Sequence, residues 1–346
     1  VHNCTQAVAL TNPEAPLVRG AVDGDPSRSY EEQYGSVVGA LRADRGGEVL
    51  LVSPDSIRVR YDDGEIKDIG LDNNRPMNRK SFRHQTPMVE MNQRFAPGDL
   101  LAKSNYTDDK GAMALGANFR TAYMPFRGLN HEDAIVISRS AAKRLQSEHA
   151  YQHTMERSDD TKFGREAFRS VFPGKFSQEV MARLDEDGVI KPGQTVNYGD
   201  PLVTAMSQSD DNPGRLLHGK RPISRDVSLL WEHHAPGVVT DAVKTKDGVN
   251  VVVKSLNEMQ TCDKLSGRVG DKGVVHIVPD EHMPQDKDGN PIEVIVSDLG
   301  VLSRGNASQV AEALLGKVAR KTGQHINVPD FKDIDDLTDW ARQLAA

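Results

Sequence analysis

Asp263-Lys264-Leu265-Ser266-Gly267-Arg268-Val269-Gly270-Asp271-Lys272-Gly273 runs directly into Val274-Val275-His276-Ile277-Val278. Three cations alternate with three glycines, and the apolar run behind them predicts a β-strand. Glycine lets backbone approach a ligand closely, while lysine offers phosphate a point charge and arginine a planar fork. Lys264 and Lys272 are an even number of residues apart, so an extended chain places them on one face. The G-x-x-x-x-G-K-[ST] spacing is absent, which excludes a P-loop. On its residues alone the stretch reads as a phosphate-facing loop or as a charged turn beside a strand.

Further strand signals lie upstream. Ile57, Val59 and Tyr61 alternate with Arg58 and Arg60, and Asp62-Asp63-Gly64-Glu65 supplies a turn, so residues 47–68 predict a β-hairpin. Pro97-Gly98-Asp99-Leu100-Leu101-Ala102 and Tyr198-Gly199-Asp200-Pro201-Leu202-Val203 share one pattern, a tight turn before a strand. Arg75, Arg79, Lys80 and Arg83 form a basic run with no acid among them, readable as a phosphate-facing patch or a solvated loop. Helices are expected over 138–150, after a Ser177 cap with Glu179 in the first turn and Val180 and Leu184 on one face, and after an Asn306 cap with Val310, Leu314 and Val318 aligned. Asp210 to Gly214 reads as a loop. A last helix is expected after Pro329, with Asp333, Asp335 and Asp336 at its start, leading into Trp340, Ala341 and Leu344.

Composition narrows the classes. The chain has 346 residues, more than one ordinary core, so two or three modules are expected. Gly 29 and Pro 18 favour a turn-rich, mixed α+β but β-rich protein over a helical bundle. Lys+Arg 43 against Asp+Glu 50 gives a net charge of −7, so any nucleic-acid contact must come from local clusters or a partner-completed surface. Cys4 and Cys262 are the only cysteines, too few for a disulfide framework or a zinc site. No apolar run long enough for a membrane span and no signal segment is present, so an intracellular protein is expected.

Two more segments carry chemistry. Asn130-His131-Glu132-Asp133-Ala134 leads into Ile135-Val136-Ile137; in a strand the adjacent carboxylates point to opposite faces, one able to reach a metal-bound phosphate. Leu299-Gly300-Val301-Leu302-Ser303-Arg304-Gly305-Asn306 puts Arg304 just before a helix N-terminus, a suitable anion site. Asp286, Asp288 and Gly289 resemble a calcium loop, but position twelve falls on Ser297, so a hairpin turn is the better reading. Asp23-Gly24-Asp25 is no acidic triad, because Ala21 stands where the third acid belongs. His233 and His234 lack a third metal ligand. A lipoyl-like carrier is excluded, since residues 201–213 contain no lysine for the hairpin tip.

Taken in order, these segments resemble the β (second-largest) subunit of multisubunit DNA-directed RNA polymerases. Gln6-Ala7-Val8 and Pro16-Leu17-Val18 resemble its Q-A-V and P-L-V segment. Gly98 to Ala102, Leu115 to Asn118, Met124-Pro125 and Gly128 to Ala134 resemble G-D-x-L-A, L-G-x-N, M-P and G-Y-N-F-E-D-A. Asp160 to Gly164, Leu184 to Gly188 and Arg225 to Leu229 match further markers. The glycine–lysine stretch resembles G-D-K-x-x-G-R-H-G-N-K-G, and Leu299 to Asn306 resembles L-G-V-P-S-R-M-N. The resemblance covers residues 1–320.

It implies a double-psi β-barrel with an inserted flap containing a small β-barrel or sandwich. Residues 1–144 would be the first part of the hybrid-binding and barrel region, 145–250 the flap, 251–320 the second part of the barrel, and 321–346 an acidic helical tail leading to a clamp segment. Lobes are expected before Val1, making the chain a piece of a longer subunit. The implied activity is template-directed nucleotidyl transfer from NTPs to the RNA 3′ end, inactive without the largest (β′-type) subunit, whose acidic triad holds the first Mg2+. Lys264 and Lys272 match the lysines that contact the RNA 3′ end and the NTP phosphates, and Arg304 matches the triphosphate-binding arginine. Asp133, with Glu132 beside it, matches the acids near the second Mg2+, and Gln6, Lys80 and Arg268 would face nucleic acid. Implied partners are the largest and other polymerase subunits, DNA template, RNA and NTPs, in the cytoplasm of a bacterial or virus-infected bacterial cell.

The departures point to a divergent, phage-type enzyme. Val269 replaces a His, Asp271 an Asn, Cys262 a Gly, His131 an aromatic and Thr5 an Arg. The stretch Asp210 to Gly219 lacks the long helical sequence pattern that binds a promoter-specificity factor in bacterial enzymes. A non-catalytic assembly or nucleic-acid-binding relic is the alternative, motivated by Val269 and Asp271.

Overall fold

The computed structural model describes residues 6–23, 25–78, 80–158, 160–209, 223–329 and 334–345. Among them strands predominate, as the turn-rich composition predicts. The chain divides into two compact units, one made of residues 1–75, 83–147 and 258–346, the other of 76–82 and 148–257.

In the first unit the expected 47–68 hairpin is a three-stranded meander, Gly47–Val52, Ser56–Tyr61 and Ile66–Gly70, extended by the edge strand Arg94–Phe95. The Asp62–Glu65 turn joins the second and third strands, and a second turn precedes Ser56. Ile57, Val59 and Tyr61 are buried while Arg58 and Arg60 are exposed. The outer face is laced by directly opposed pairs, Arg58 with Asp68 and Arg60 with Glu48. The basic run is not free of acid in space: Asp72, just ahead of it, pairs with both Arg75 and Arg83. Arg79 lies outside the described residues, as do Cys4, Thr5, Gly24, Asp333 and the expected loop and flap tip at 210–219.

A second sheet carries the candidate chemistry. Its strands, numbered in chain order, are β1 (Thr121–Tyr123), β2 (Ala134–Ser138), β3 (Lys264–Ser266), β4 (Lys272–Val278) and β5 (Val294–Val296), laid out as β1-β5-β2-β4-β3. β2 runs parallel to β4, pairing Ala134 with Val274 through to Ser138 with Val278. Central β2 is apolar on both sides, as a strand covered on both faces must be. Ile135 and Ile137 pack with Val275, Leu145 and Val294; Val136 packs with Ile295, Val278 and Phe126. After β5 come α1 (Asp298–Arg304) and α2 (Ala307–Thr322).

Several helix expectations need correction. The 138–150 helix is short, Arg139–Arg144, capped by the Ser138 hydroxyl, which accepts from the Ala141 amide. Ser147–Glu156 is a strand, in which Tyr151, His153 and Met155 alternate with exposed Gln152, Thr154 and Glu156. Ser177 caps its helix as expected, but the helix spans only Gln178–Ala182 and buries Met181, with Leu184 beyond its end. α2 buries Ala311, Leu315, Val318 and Ala319, whereas Val310 and Leu314 are exposed. The last helix, Ile334–Ala345, packs Trp340 and Ala341 against Val18 and Leu315.

The second unit is built from small antiparallel sheets around Trp231, which is fully buried and donates its indole N–H to the Ala235 carbonyl at 3.0 Å. Both Gly-Asp turns, one in each unit, use a single device. Gly98 and Gly199 take left-handed φ values of 89° and 86°, where a side chain is disfavoured. Asp99 and Asp200 accept from the amides of Ala96 and Asn197 at 2.7 and 2.9 Å, closing the turn before the strand. Asp286 also closes a turn, accepting from the Asp288 and Asn290 amides, as the hairpin reading expects. No described helix is long and apolar enough to cross a membrane.

Candidate active site

Lys264 opens β3 and Lys272 opens β4, in an antiparallel hairpin that sets Lys264 opposite Val274 and Lys272 opposite Ser266. Directly opposed residues share a face, as do residues two apart, so the two lysines are diagonal neighbours on one face of the ribbon. The common face therefore comes from cross-strand pairing rather than from one extended run. Both lysines are exposed.

Gly273 decides how close this ribbon comes to the acids. A Cβ there would stand 1.9 Å from the Asp133 carbonyl oxygen, and the next amide, Val274, donates to that oxygen at 3.1 Å. Glu132 and Asp133 are not in the strand, contrary to expectation. They occupy the turn before β2, with Glu132 left-handed at φ 55° and both side chains in solvent. Buried Asn130 braces the turn, accepting from the Phe126 amide at 2.8 Å and donating to the Met124 carbonyl at 2.7 Å.

Arg304 is the last residue of α1, and Gly305, left-handed at φ 61°, stops the helix before α2 begins. It precedes a helix N-terminus as expected, but it also ends a helix, where a cation suits the dipole. Its guanidinium pairs with the Asp133 carboxylate across 171 positions of sequence. The two side chains are 38% and 64% exposed, so the pair contributes at most about 1 kcal/mol and yields readily to a competing anion.

Glu132, Asp133, Lys272 and Arg304, with Asp271 and Gln309, surround one cavity of about 20 Å³. That is room for roughly one water molecule. Lys264 is not among the lining residues. Among the described residues no three His, Cys, Asp or Glu side chains stand together as a metal cage. Asp133 and Glu132 are hard oxygen donors on one exposed turn, a set that suits Mg2+ shared with phosphates rather than enclosed by protein.

Beneath this surface lies a layer that sequence reasoning missed. Asp271 turns inward, where Gln309 Nε2 donates to its Oδ2 at 2.8 Å. Burial pushes the Asp271 carboxyl above its ordinary value, with Arg304 pulling the other way. Arg268 does not extend freely into solvent: its terminal nitrogens hold the Val18 carbonyl and the buried Glu31 carboxylate, with Glu312 at 3.8 Å. Burial raises Glu312, Arg268 opposes that rise, and Asp271 and Glu31 add to it. Tyr123, on β1, is pushed up to about 12 by burial and by Asp271. One local signal was available, the Asn306-x-x-Gln309 spacing of a capping box. Here that pair is turned elsewhere, and the Asn306 side chain does not cap α2. Gln6 is exposed in the first unit and Lys80 in the second.

Residues 47–346 match the family described as RNA polymerase Rpb2, domain 6. The chain belongs to that family. The DNA-directed RNA polymerase subunit beta of Ligilactobacillus salivarius (strain UCC118) is 35% identical over 363 residues, covering 97% of this chain and 29% of the relative. Its counterpart from Enterococcus faecium is 34% identical over 362 residues with the same coverage. That of Streptococcus gordonii is 34% identical over 363 residues, covering 98% of this chain and 30% of the relative. The chain thus spans about three-tenths of the length of the curated relatives it matches. The resemblance read from the ordered motifs holds at the level of the Rpb2 family.

Proposed function

We propose that this Rpb2-family chain is part of the catalytic subunit of a DNA-directed RNA polymerase and forms the phosphate-facing wall for nucleotidyl transfer from NTPs to the RNA 3′ end. The observation that carries the proposal is convergence: Lys272, Arg304, Asp133 and Glu132 meet around one cavity, with Lys264 on the same face of the adjoining ribbon.

Attack of a 3′-hydroxyl on an α-phosphate forms a new P–O bond as the bond to pyrophosphate breaks and the hydroxyl proton is lost to solvent; negative charge gathers on the phosphate oxygens, and fixed cations offset it. Lys264 and Lys272 bind the RNA 3′ end and the triphosphate. Arg304 leaves its exposed pairing with Asp133 for the triphosphate, where it can present two parallel donors. With Arg304 withdrawn, the Asp133 carboxylate, with Glu132 beside it, would be the group available to hold a second Mg2+. When bound, Mg2+ supplies neutralisation of phosphate charge, and its primary site belongs to the largest subunit. The cavity is too small for a triphosphate, in keeping with a cleft completed by that partner and by DNA template and RNA. Gln6, Lys80 and the solvent-facing edge of Arg268 are proposed to contact nucleic acid.

We assign the first unit to a double-psi β-barrel and the 145–250 segment to a flap. The compact unit at 148–257 supports the latter. The setting proposed is the cytoplasm of a bacterial or phage-infected cell, with a divergent polymerase.

The test is a polymerase reconstituted with Lys264→Ala or Arg304→Ala. Each is expected to lower elongation at limiting NTP by roughly a hundredfold; nucleotide addition at the unsubstituted rate would remove the assigned roles. The relic reading drew on Val269 and Asp271; the Asp271 carboxyl is turned toward Gln309, which favours a working site. A neighbouring largest-subunit gene with an intact N-A-D-F-D-G-D segment separates the two readings.

A further inference from the structure

The loop between β3 and β4 is gripped by the start of α2. Gln309, buried, donates to the Asp271 carboxyl at 2.8 Å. The Asn306 amide group donates to the Val269 carbonyl and to Gln309 Oε1, each at 3.4 Å. Asp271 closes the loop with its own carbonyl, which accepts from the Gly267 amide at 2.8 Å. Its carboxyl fills the loop's interior: a Cβ on Gly267 would meet Asp271 Oδ1 at 2.1 Å. Lys272 follows the loop immediately, and Arg304 stands two residues before Asn306. The two cations of the cavity are therefore tethered through this one set of contacts.

We propose that Asp271, Gln309 and Asn306 form a positioning clasp that fixes Lys272 relative to Arg304 and thereby sets affinity for the nucleoside triphosphate. Asp271 serves in it by shape and hydrogen bonding rather than by negative charge. The inference rests on the triphosphate-facing role proposed above. Asp271 Oδ1 is buried without a partner, and a bare charge there is costlier than a neutral group. Burial favours the neutral acid further, Glu312 and Tyr123 lie within electrostatic reach, and the opposing cation is Arg304.

The experiment is steady-state elongation by the assembled polymerase, reading KM for NTP against kcat. Gln309→Met keeps side-chain length and removes the donor; it is expected to raise KM roughly tenfold with kcat changed less than about twofold, the pattern of lost ground-state positioning. Asn306→Ala, from a partly exposed position, is expected to raise KM about threefold by loss of the weaker half of the clasp. Asp271→Asn, which keeps an acceptor for Gln309, is expected to retain the unsubstituted KM. In a Lys272→Ala background Gln309→Met is expected to add nothing, because both changes act through one side chain. Lys272→Ala impaired with Gln309→Met and Asn306→Ala both normal overturns the clasp alone. Asp271→Asn as impaired as Gln309→Met overturns the claim that charge is dispensable, and additive effects overturn action through Lys272. Lys272→Ala with an unchanged KM overturns the functional reading, and the clasp's role with it.

Discussion

At position 273 any side chain would drive a Cβ to within 1.9 Å of backbone, the Asp133 carbonyl oxygen, so β4 must separate from β2 to accept one. Gly273→Ala is therefore expected to destabilise the chain by roughly 2–3 kcal/mol, in the range of overpacking at a site that cannot relax. A shift of the urea midpoint checks this, and the variant should also lose elongation, because Lys272 moves with its strand. The cations at 264, 272 and 304 were legible in the sequence because few side chains suit phosphate, and Lys272 and Arg304 each stood beside a glycine. Asp271 and Gln309 were not: their contact spans 38 positions, and nothing local distinguishes an inward-facing acid from one in solvent. The turn aspartates were legible for the opposite reason, since Asp99 and Asp200 bond amides three residues away.

Among elements, the instructive error is at residues 138–150, where a helical reading ran past the true end at Arg144. Ala141 and Ala142 favour helix, but from Tyr151 onward inward and outward residues alternate strictly, a period of two that only a strand accommodates. That strand brings His153 beside Trp231, ring centroids 5.6 Å apart, while Tyr151 stacks on His233 at 3.9 Å. Burial pulls both imidazoles below the ordinary 6.5, and His153 Nε2 has no partner in its buried position. A lowered histidine in the folded state means the unfolded chain takes up protons first. Stability is thus intact above pH 6.5 and lost as pH falls through the depressed values. Melts followed by Trp231 fluorescence in a Trp340→Phe background should hold steady from neutral to mildly alkaline pH and drop on acidification. His153→Phe should flatten that drop, and an acid-insensitive melt would rule out the coupling.

For the whole molecule, Arg268 ties parts of the first unit that are remote in sequence: Val18, Glu31 and Glu312 all meet its guanidinium. Removing a cation strands a buried carboxylate. Because Arg268 is 35% exposed, Arg268→Ala is expected to cost about 2 kcal/mol, below the range for a fully enclosed pair. Chemical denaturation measures it, and an unchanged midpoint with weakened RNA binding would remove the structural role and leave only the proposed nucleic-acid contact. At this scale the order of short motifs made the family readable, whereas strand partners stayed hidden, since pairing between distant strands leaves no local periodicity. The parallel register of β2 with β4 has a temporal side. Ala134 waits for Val274, and at ~5–20 residues per second a ribosome needs roughly 7–30 s to deliver it. Throughout that interval Ile135, Val136 and Ile137 lack the neighbour that shields them from other nascent chains. Chaperone demand during synthesis should therefore centre on this strand, and a pause in translation between the two would be most harmful there.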